Sequence, residues 1–223
     1  MSYSGLEIAI PLFDRFTALD AVGPYQVLAG LPGARVRFLG PEAGPVHSDN
    51  RMLTLVAEAA YEDMPRPNIL VVPGGTGTRA LLADERMLAW VREAHGHSRF
   101  TTSVCTGSLV LAAAGVLNGV EATTHWAVHD TLASLGAVPV RQRVVQRGKI
   151  VTAAGVSAGI DMALALAGQL AGDDAARAIQ LMIEYDPDPP YDSGSPEKAS
   201  PAVMALVAEV STQMEGEPAD DGP

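Results

Sequence analysis

Short β-rich runs alternate along this chain with longer stretches that carry apolar residues on one helical face. That rhythm leaves few folds open. Leu6 to Phe13, "ARVRFLG", "NILVVPGG", "FTTSV" and "KIVTAAG" read as strands. Between them, "ALDAVGPYQVLAGL" places Leu19, Val22, Val27, Leu28 and Leu31 at helical spacing. "DERMLAWVREAHGH" is a second helix with Asp84 as its N-cap, and "TGSLVLAAAG" and "SAGIDMALALAGQLAG" are others. "PVHSDNRMLTLVAE" predicts a hairpin turning at Asp49-Asn50. "VEATTH" and "AVPVRQRVV" are strand-like, with the helix "WAVHDTLASLG" between them. Strand, helix, strand in succession implies an α/β fold: a mostly parallel sheet with helices on both faces. After the helix "DDAARAIQLMIEY" come a proline-rich loop, "DPDPPYDSGSP", and a last helix, "PAVMALVAEVSTQM". No break in composition interrupts residues 1–214, which predicts one domain, with 215–223 as an acidic disordered tail.

Charge and composition narrow the classes of function. The net charge of −11 disfavours nucleic acid and anionic membrane as partners. No apolar run reaches the roughly 18 residues of a membrane span, and "MSYSGLEIAIPLF" lacks the basic start of a signal peptide. The single cysteine makes no internal disulfide and no zinc site by itself. A cytoplasmic protein is the expectation.

That one thiol, Cys105, ends the strand "FTTSV" and begins the helix after it. In open α/β folds, ligands sit beyond the carboxyl ends of the strands. A sharp strand-to-helix turn holds a nucleophile up and exposed in a strained backbone conformation. Free N–H groups and the positive helix end favour thiolate there. Gly107 removes a side chain from the crowded turn, and the Thr106 N–H faces an anion near the sulfur. The opposing reading makes Cys105 a small buried hydrophobe; the strand–Cys–Gly–helix context favours reactivity.

Four more residues belong to the candidate site. Gly74 and Gly75 end the strand "NILVVPGG", where their N–H groups offer an oxyanion-type donor opposite Thr106, or make an ordinary turn. Asp20 is the one acid in "ALDAVGPYQVL". Residue pattern alone favours a helix N-cap for it; the other reading is a carboxyl beside the sulfur that passes protons. His125 ends "ATTH", either assisting the thiol or bonding to backbone. His125 and His129 are spaced i, i+4, but no third metal ligand is evident, so no metal and no cofactor are predicted. His47, His95 and His97 read as solvent residues, Asp161 as a cap or a hydrogen-bonded acid, and Tyr185 and Tyr191 as surface packing.

Taken together, "VVPGG", "SVCTGSLVLAAAGVLNG", "ATTHW" and "AGIDMALAL" resemble the ThiJ/PfpI superfamily, related in fold to class I glutamine amidotransferases. The resemblance runs from about Leu6 to Tyr191. It implies a flavodoxin-like α/β sandwich, commonly dimeric, with an elbow cysteine and an acid from the first strand–helix connection. Within the superfamily, "LDAVGPYQVLAGLP", "SVCTGS", "TTHW" and "EYDPDPPYDSGSP" look like the isonitrile hydratases. Asp20 replaces the glutamate usual in other members. Thr106 replaces the histidine of PfpI-type peptidases, which counts against peptidase activity. The cysteine motif also occurs in AraC-type regulators. Those continue into a basic helix-turn-helix region, whereas about 36 acidic residues follow "EYDP" here, which argues against a nucleic-acid partner.

The resemblance implies hydration of a small isonitrile to an N-substituted formamide by a cytoplasmic homodimer. Cys105 would be the nucleophile, Asp20 the acid and base, and Thr106 the orienting group, with Gly75, Gly74 and His125 toward substrate or oxyanion. Two alternatives are a glyoxalase-like enzyme acting on 2-oxoaldehydes and a non-enzymatic dimer that senses oxidants through Cys105.

Overall fold

The computed structural model describes residues 5–216. They divide into two units, one through Glu184 and one from Tyr185. In the first unit the chain runs β1 (Leu6–Pro11), α1 (Ala18–Leu28), β2 (Ala34–Gly40), β3 (Gly44–His47), β4 (Thr54–Ala57) and β5 (Ala59–Ala60). It continues through β6 (Ile69–Val72), α2 (Thr78–Leu81), α3 (Glu85–His97), β7 (Phe100–Val104) and α4 (Gly107–Ala113). The remainder is β8 (Glu121–Ala122), α5 (His129–Ser134), β9 (Val138–Pro139), β10 (Val144–Arg147), β11 (Ile150–Ala153), α6 (Ala158–Ala171) and α7 (Asp173–Met182).

Seven strands form the main sheet in the order β10-β11-β7-β6-β1-β2-β5. All neighbours are parallel except β10 and β11. This is the flavodoxin-like α/β arrangement the sequence implied. The central strands read as continuous buried runs because helices cover both faces: every residue of β6 and β7 is buried. Strand β1 connects to β2 on one side while β6 lies on its other side. The chain therefore reverses direction across the sheet between β1 and β6, and in open sheets of this kind ligands bind beyond the carboxyl ends at such a reversal, here next to β7.

The hairpin forms as its turn residues predicted, β3 against β4, in a two-stranded sheet of its own. Asp84 caps α3 as expected, accepting from the Met87 N–H at 3.2 Å. Three stretches differ from the sequence reading. "VEATTH" pairs only at Glu121–Ala122, because Thr123 and Thr124 leave the ladder and bond elsewhere. "AVPVRQRVV" splits into β9, which pairs with β8, and β10, which pairs with β11 in the main sheet. "WAVHDTLASLG" opens as a 3₁₀ turn, Trp126–Val128, and becomes α-helical at His129.

The second unit holds the proline-rich loop and α8 (Pro201–Gly216), where Ser200 receives the Val203 N–H at the helix start. The helix carries through Gly216. Residues 217–223 of the expected tail lie outside the described residues.

Candidate active site

Cys105 follows the last residue of β7 and adopts φ = 56°, the left-handed region that non-glycine residues rarely enter. Its N–H holds the turn down on β11 and the loop after it, donating to Ala154 O at 2.8 Å and Ala153 O at 3.1 Å. Its carbonyl accepts two buried hydroxyls, Thr124 at 3.1 Å and Ser108 at 3.2 Å. Gly107 is required by close approach: an added Cβ would stand 2.1 Å from Val72 O. Strain at one residue is thus held by four hydrogen bonds around it.

Asp20 lies in the first turn of α1 and is fully buried. It is not the N-cap. Thr17 occupies that position, so the helix-cap reading of Asp20 is overturned. The carboxyl instead crosses to the neighbouring strand end, where Oδ2 accepts the Gly74 N–H at 2.8 Å. Oδ1 is buried without a hydrogen-bond partner of regular geometry. Gly74 has no room for a side chain: a Cβ would lie 2.6 Å from Thr106 N and 2.9 Å from Asp20 Oδ2. Three loops, after β1, β6 and β7, therefore meet in one small space.

Cys105 and Asp20 perturb each other. Burial pushes the Asp20 carboxyl up to about 7 and the charge of Asp49 presses the same way, while the Gly74 N–H and the Cys105 thiol oppose them. The Cys105 thiol is pushed well above its ordinary value, first by burial and then by the Asp20 charge. The N–H groups of Thr106 and Val156 and the Thr106 hydroxyl pull it back. The sequence expectation of a thiolate favoured by the helix start is therefore outweighed. Two acids share a buried place, and among the described residues no cation figures among the groups acting on either. The pair holds a single negative charge before a second ionisation becomes affordable.

The Thr106 hydroxyl is fixed by the glycine loop, accepting the Gly75 N–H at 2.9 Å and standing 3.2 Å from Thr78 Oγ1. Thr78 in turn donates to Gly75 O at 2.7 Å. Gly74 and Gly75 therefore spend their N–H groups on Asp20 and Thr106, which differs from the open oxyanion donors expected of them. A free N–H so near two side-chain oxygens finds a partner inside the protein. His125 bonds to backbone, one of the two readings its sequence left open, though to an N–H rather than a carbonyl. Its Nδ1 accepts from the Ala127 N–H at 3.4 Å, capping the 3₁₀ turn, and its ring stacks obliquely near Trp126. It borders Gly155, one residue from Val156, and burial lowers its pKa.

Sequence reasoning missed Val156, Thr78, Thr124 and Ser108. Val156 acts through backbone and leaves no residue-type signal. Thr124 stood inside the quoted "ATTHW", where the histidine drew attention instead. His95 is no solvent residue; its Nδ1 bonds to Thr101 Oγ1 at 2.9 Å. Asp161 pairs with Arg143. Among the described residues, no three His, Cys, Asp or Glu side chains stand together to hold a metal ion, and no helix is long and apolar enough to cross a membrane.

The model of the DJ-1/PfpI family matches residues 6–169, most of the chain and all of this site. The chain belongs to the DJ-1/PfpI family. Among relatives of this DJ-1/PfpI protein, an isonitrile hydratase of Pseudomonas putida is 48% identical over 199 residues, covering 89% of this chain and 87% of that protein. A crystal structure of a ThiJ/PfpI family protein from Pseudomonas syringae superposes with a TM-score of 0.87 at 37% identity, covering 96% of this chain and 90% of that one. An HTH-type transcriptional regulator of Pseudomonas aeruginosa, CdhR, is 30% identical over 174 residues; the match takes in 76% of this chain and 51% of the regulator.

Proposed function

We propose that this protein is an isonitrile hydratase, converting R–NC and water to R–NH–CHO. The observation that carries the reading is the buried pair of Cys105, on its strained elbow, and Asp20, brought beside it from the first turn of α1. The likeness to the Pseudomonas putida enzyme supports it along nearly the whole chain.

A pair with one negative charge exists in two forms, thiol with carboxylate or thiolate with carboxylic acid. The second form starts the reaction. The Cys105 thiolate attacks the terminal isonitrile carbon while Asp20 gives its proton to that same carbon. The product is a thioimidate, Cys–S–CH=N–R, and the charge now rests on Asp20. The Asp20 carboxylate then takes a proton from water as the hydroxide adds to the imidate carbon, and returns that proton to nitrogen. Collapse breaks the C–S bond, passes the hydroxyl proton to Asp20, releases the formamide and restores the thiolate. No oxidant, reductant or metal enters the balance. Thr106, held by Gly75 and Thr78, steadies the sulfur through its N–H and hydroxyl. We read the working form as a cytoplasmic homodimer acting on a small molecule. In support, Met52, Leu53 and Val56 of the hairpin and Leu19 and Tyr25 of α1 expose apolar surface.

The test is formamide production from cyclohexyl isocyanide by the purified protein, beside Cys105→Ala and Asp20→Asn. Turnover that Cys105→Ala abolishes and Asp20→Asn cuts at least about a hundredfold establishes the reaction and both roles. A folded, reduced wild-type protein that makes no formamide overturns it; activity on methylglyoxal would then favour the glyoxalase-like alternative, and peroxide-dependent oxidation of Cys105 without turnover the sensor.

A further inference from the structure

The hairpin of β3 and β4 stands outside the main sheet, yet its turn is tied to the loop that carries Asp20. Phe16 bridges to Ser48, the Asp49 N–H donates to Phe16 O at 2.9 Å, and the Thr17 hydroxyl donates to Asp49 Oδ2 at 3.0 Å. Thr17 is the N-cap of α1; its own N–H donates to Gly74 O at 2.8 Å and its carbonyl accepts the Asp20 N–H at 3.1 Å. Asp49 is thus joined through one residue to both partners of the site acid, Gly74 and the first turn of α1. The Asn50 N–H fixes the other carboxylate oxygen, Asp49 Oδ1, at 2.9 Å. The side chain is therefore held at both oxygens.

We propose that Asp49 is a positioning residue whose negative charge, held near Asp20 through Thr17, shifts the shared charge of the Cys105–Asp20 pair toward the sulfur and so enlarges the minor thiolate form. The inference deepens the hydratase reading and rests on it for its catalytic meaning, although the charge bias itself does not. The argument is one of asymmetry. Asp49 is bonded to Thr17 and Phe16, which lead into the turn that carries Asp20, and its charge raises the Asp20 proton affinity, whereas the Cys105 turn is held by Ala153, Ala154, Ser108 and Thr124, none of them in the hairpin. A negative charge nearer one partner of a pair disfavours the anion at that partner and leaves it at the other. The groups that act on Asp20 are the Gly74 N–H from the β6 loop, the thiol from the β7 elbow and Asp49 from the hairpin. From α6, which packs on α1, the titratable Asp161 is paired with Arg143.

Because Cys105 is the one thiol of the chain, its alkylation by iodoacetamide reads the thiolate directly, without substrate. The experiment follows that rate from pH 5 to 9 in the wild type, Asp49→Asn and Glu58→Gln, beside thermal unfolding. Glu58 follows β4 of the same hairpin and pairs with Arg37, so it controls for a general change of charge. Asparagine still accepts from Thr17, so Asp49→Asn should unfold with the wild type. Its alkylation should match wild type at low pH, level off earlier, and reach a plateau about threefold to tenfold lower, with kcat/KM for cyclohexyl isocyanide falling in parallel. Glu58→Gln should leave the profile in place. A profile unmoved in Asp49→Asn overturns the proposal. So does a uniform fall at every pH with a lower Tm, or the same shift in Glu58→Gln. If the alkylation profile shifts while the wild type hydrates no isonitrile, the hydratase reading fails and the charge bias stands.

Discussion

Strand β7 ends in a buried polar cluster at each tip, and the two are built on opposite terms. At its start, Thr101 Oγ1 bonds to His95 Nδ1 at 2.9 Å and to Ser98 Oγ at 2.7 Å, and Lys149 Nζ closes the group on the carbonyls of His95 and Ser98. No buried polar atom of these four side chains lacks a partner. At its other end Cys105 sits at φ = 56°, Asp20 Oδ1 is unpaired, and two acids share one space without a cation acting on either. Three residues of one strand, Thr102 to Val104, separate a network that holds the fold from one that strains it. Unsatisfied and strained groups persist only where surrounding structure enforces them, and that asymmetry supports our proposal that the carboxyl end is the working end.

The sharpest way to break this contrast is to remove the reacting groups. Cys105→Ala should abolish formamide production, and Asp20→Asn should lower kcat by about 10²- to 10⁴-fold, the usual worth of a positioned proton donor, in a steady-state assay. The same Asp20→Asn protein should be no less stable than wild type, and its advantage should depend on pH. The folded carboxyl holds its proton to about 7 against an ordinary value of 3.8, so the folded state binds the extra proton between them. Stability contributed below pH 3.8 is therefore lost as pH rises toward 7. Melting curves should show the Tm of Asp20→Asn gaining on wild type across that window and holding its lead above it. Equal Tm differences at pH 4 and pH 8 would remove the claim that this end costs stability.

Gly74→Ala tests whether the working end depends on close approach. The added Cβ meets a backbone nitrogen and Asp20, so the loop after β6 must move; we expect at least a tenfold loss of kcat/KM with a cooperative melt retained. The satisfied end should answer in the reverse sense. Thr101→Val removes the oxygen that both His95 and Ser98 use and should cost about 1–3 kcal/mol in denaturant unfolding while leaving kcat unchanged. His95→Gln keeps a group able to pair with Thr101 and should cost about 1 kcal/mol or less by the same measurement. A large kinetic effect of either would erase the division between the two ends.

Much of the site could be read in the residues. Cys105 between an apolar run and a helix start, and paired glycines after the neighbouring strand, are local patterns with local causes. Asp20 was harder: an acid near a helix start fits a cap, and the reason it is not one lies 54 residues away at Gly74. Val156 and the two glycine N–H groups act through backbone, whose direction no residue type records. Asp49 was legible as a turn residue and nothing more, because its nearness to Asp20 comes from the hairpin folding back on Phe16 and Thr17.

The sequence by itself determined the alternation of strands and helices, hence the parallel sheet, and put the thiol at the carboxyl end of a central strand. Periodicity and turn chemistry are short-range, so they survive in one dimension. The tertiary structure alone decided that Asp20 faces the sulfur, that the glycines hold the acid and Thr106, and that burial raises both proton affinities. Each of those depends on three strand ends meeting at the reversal between β1 and β6, and charge and desolvation act through space rather than along the chain.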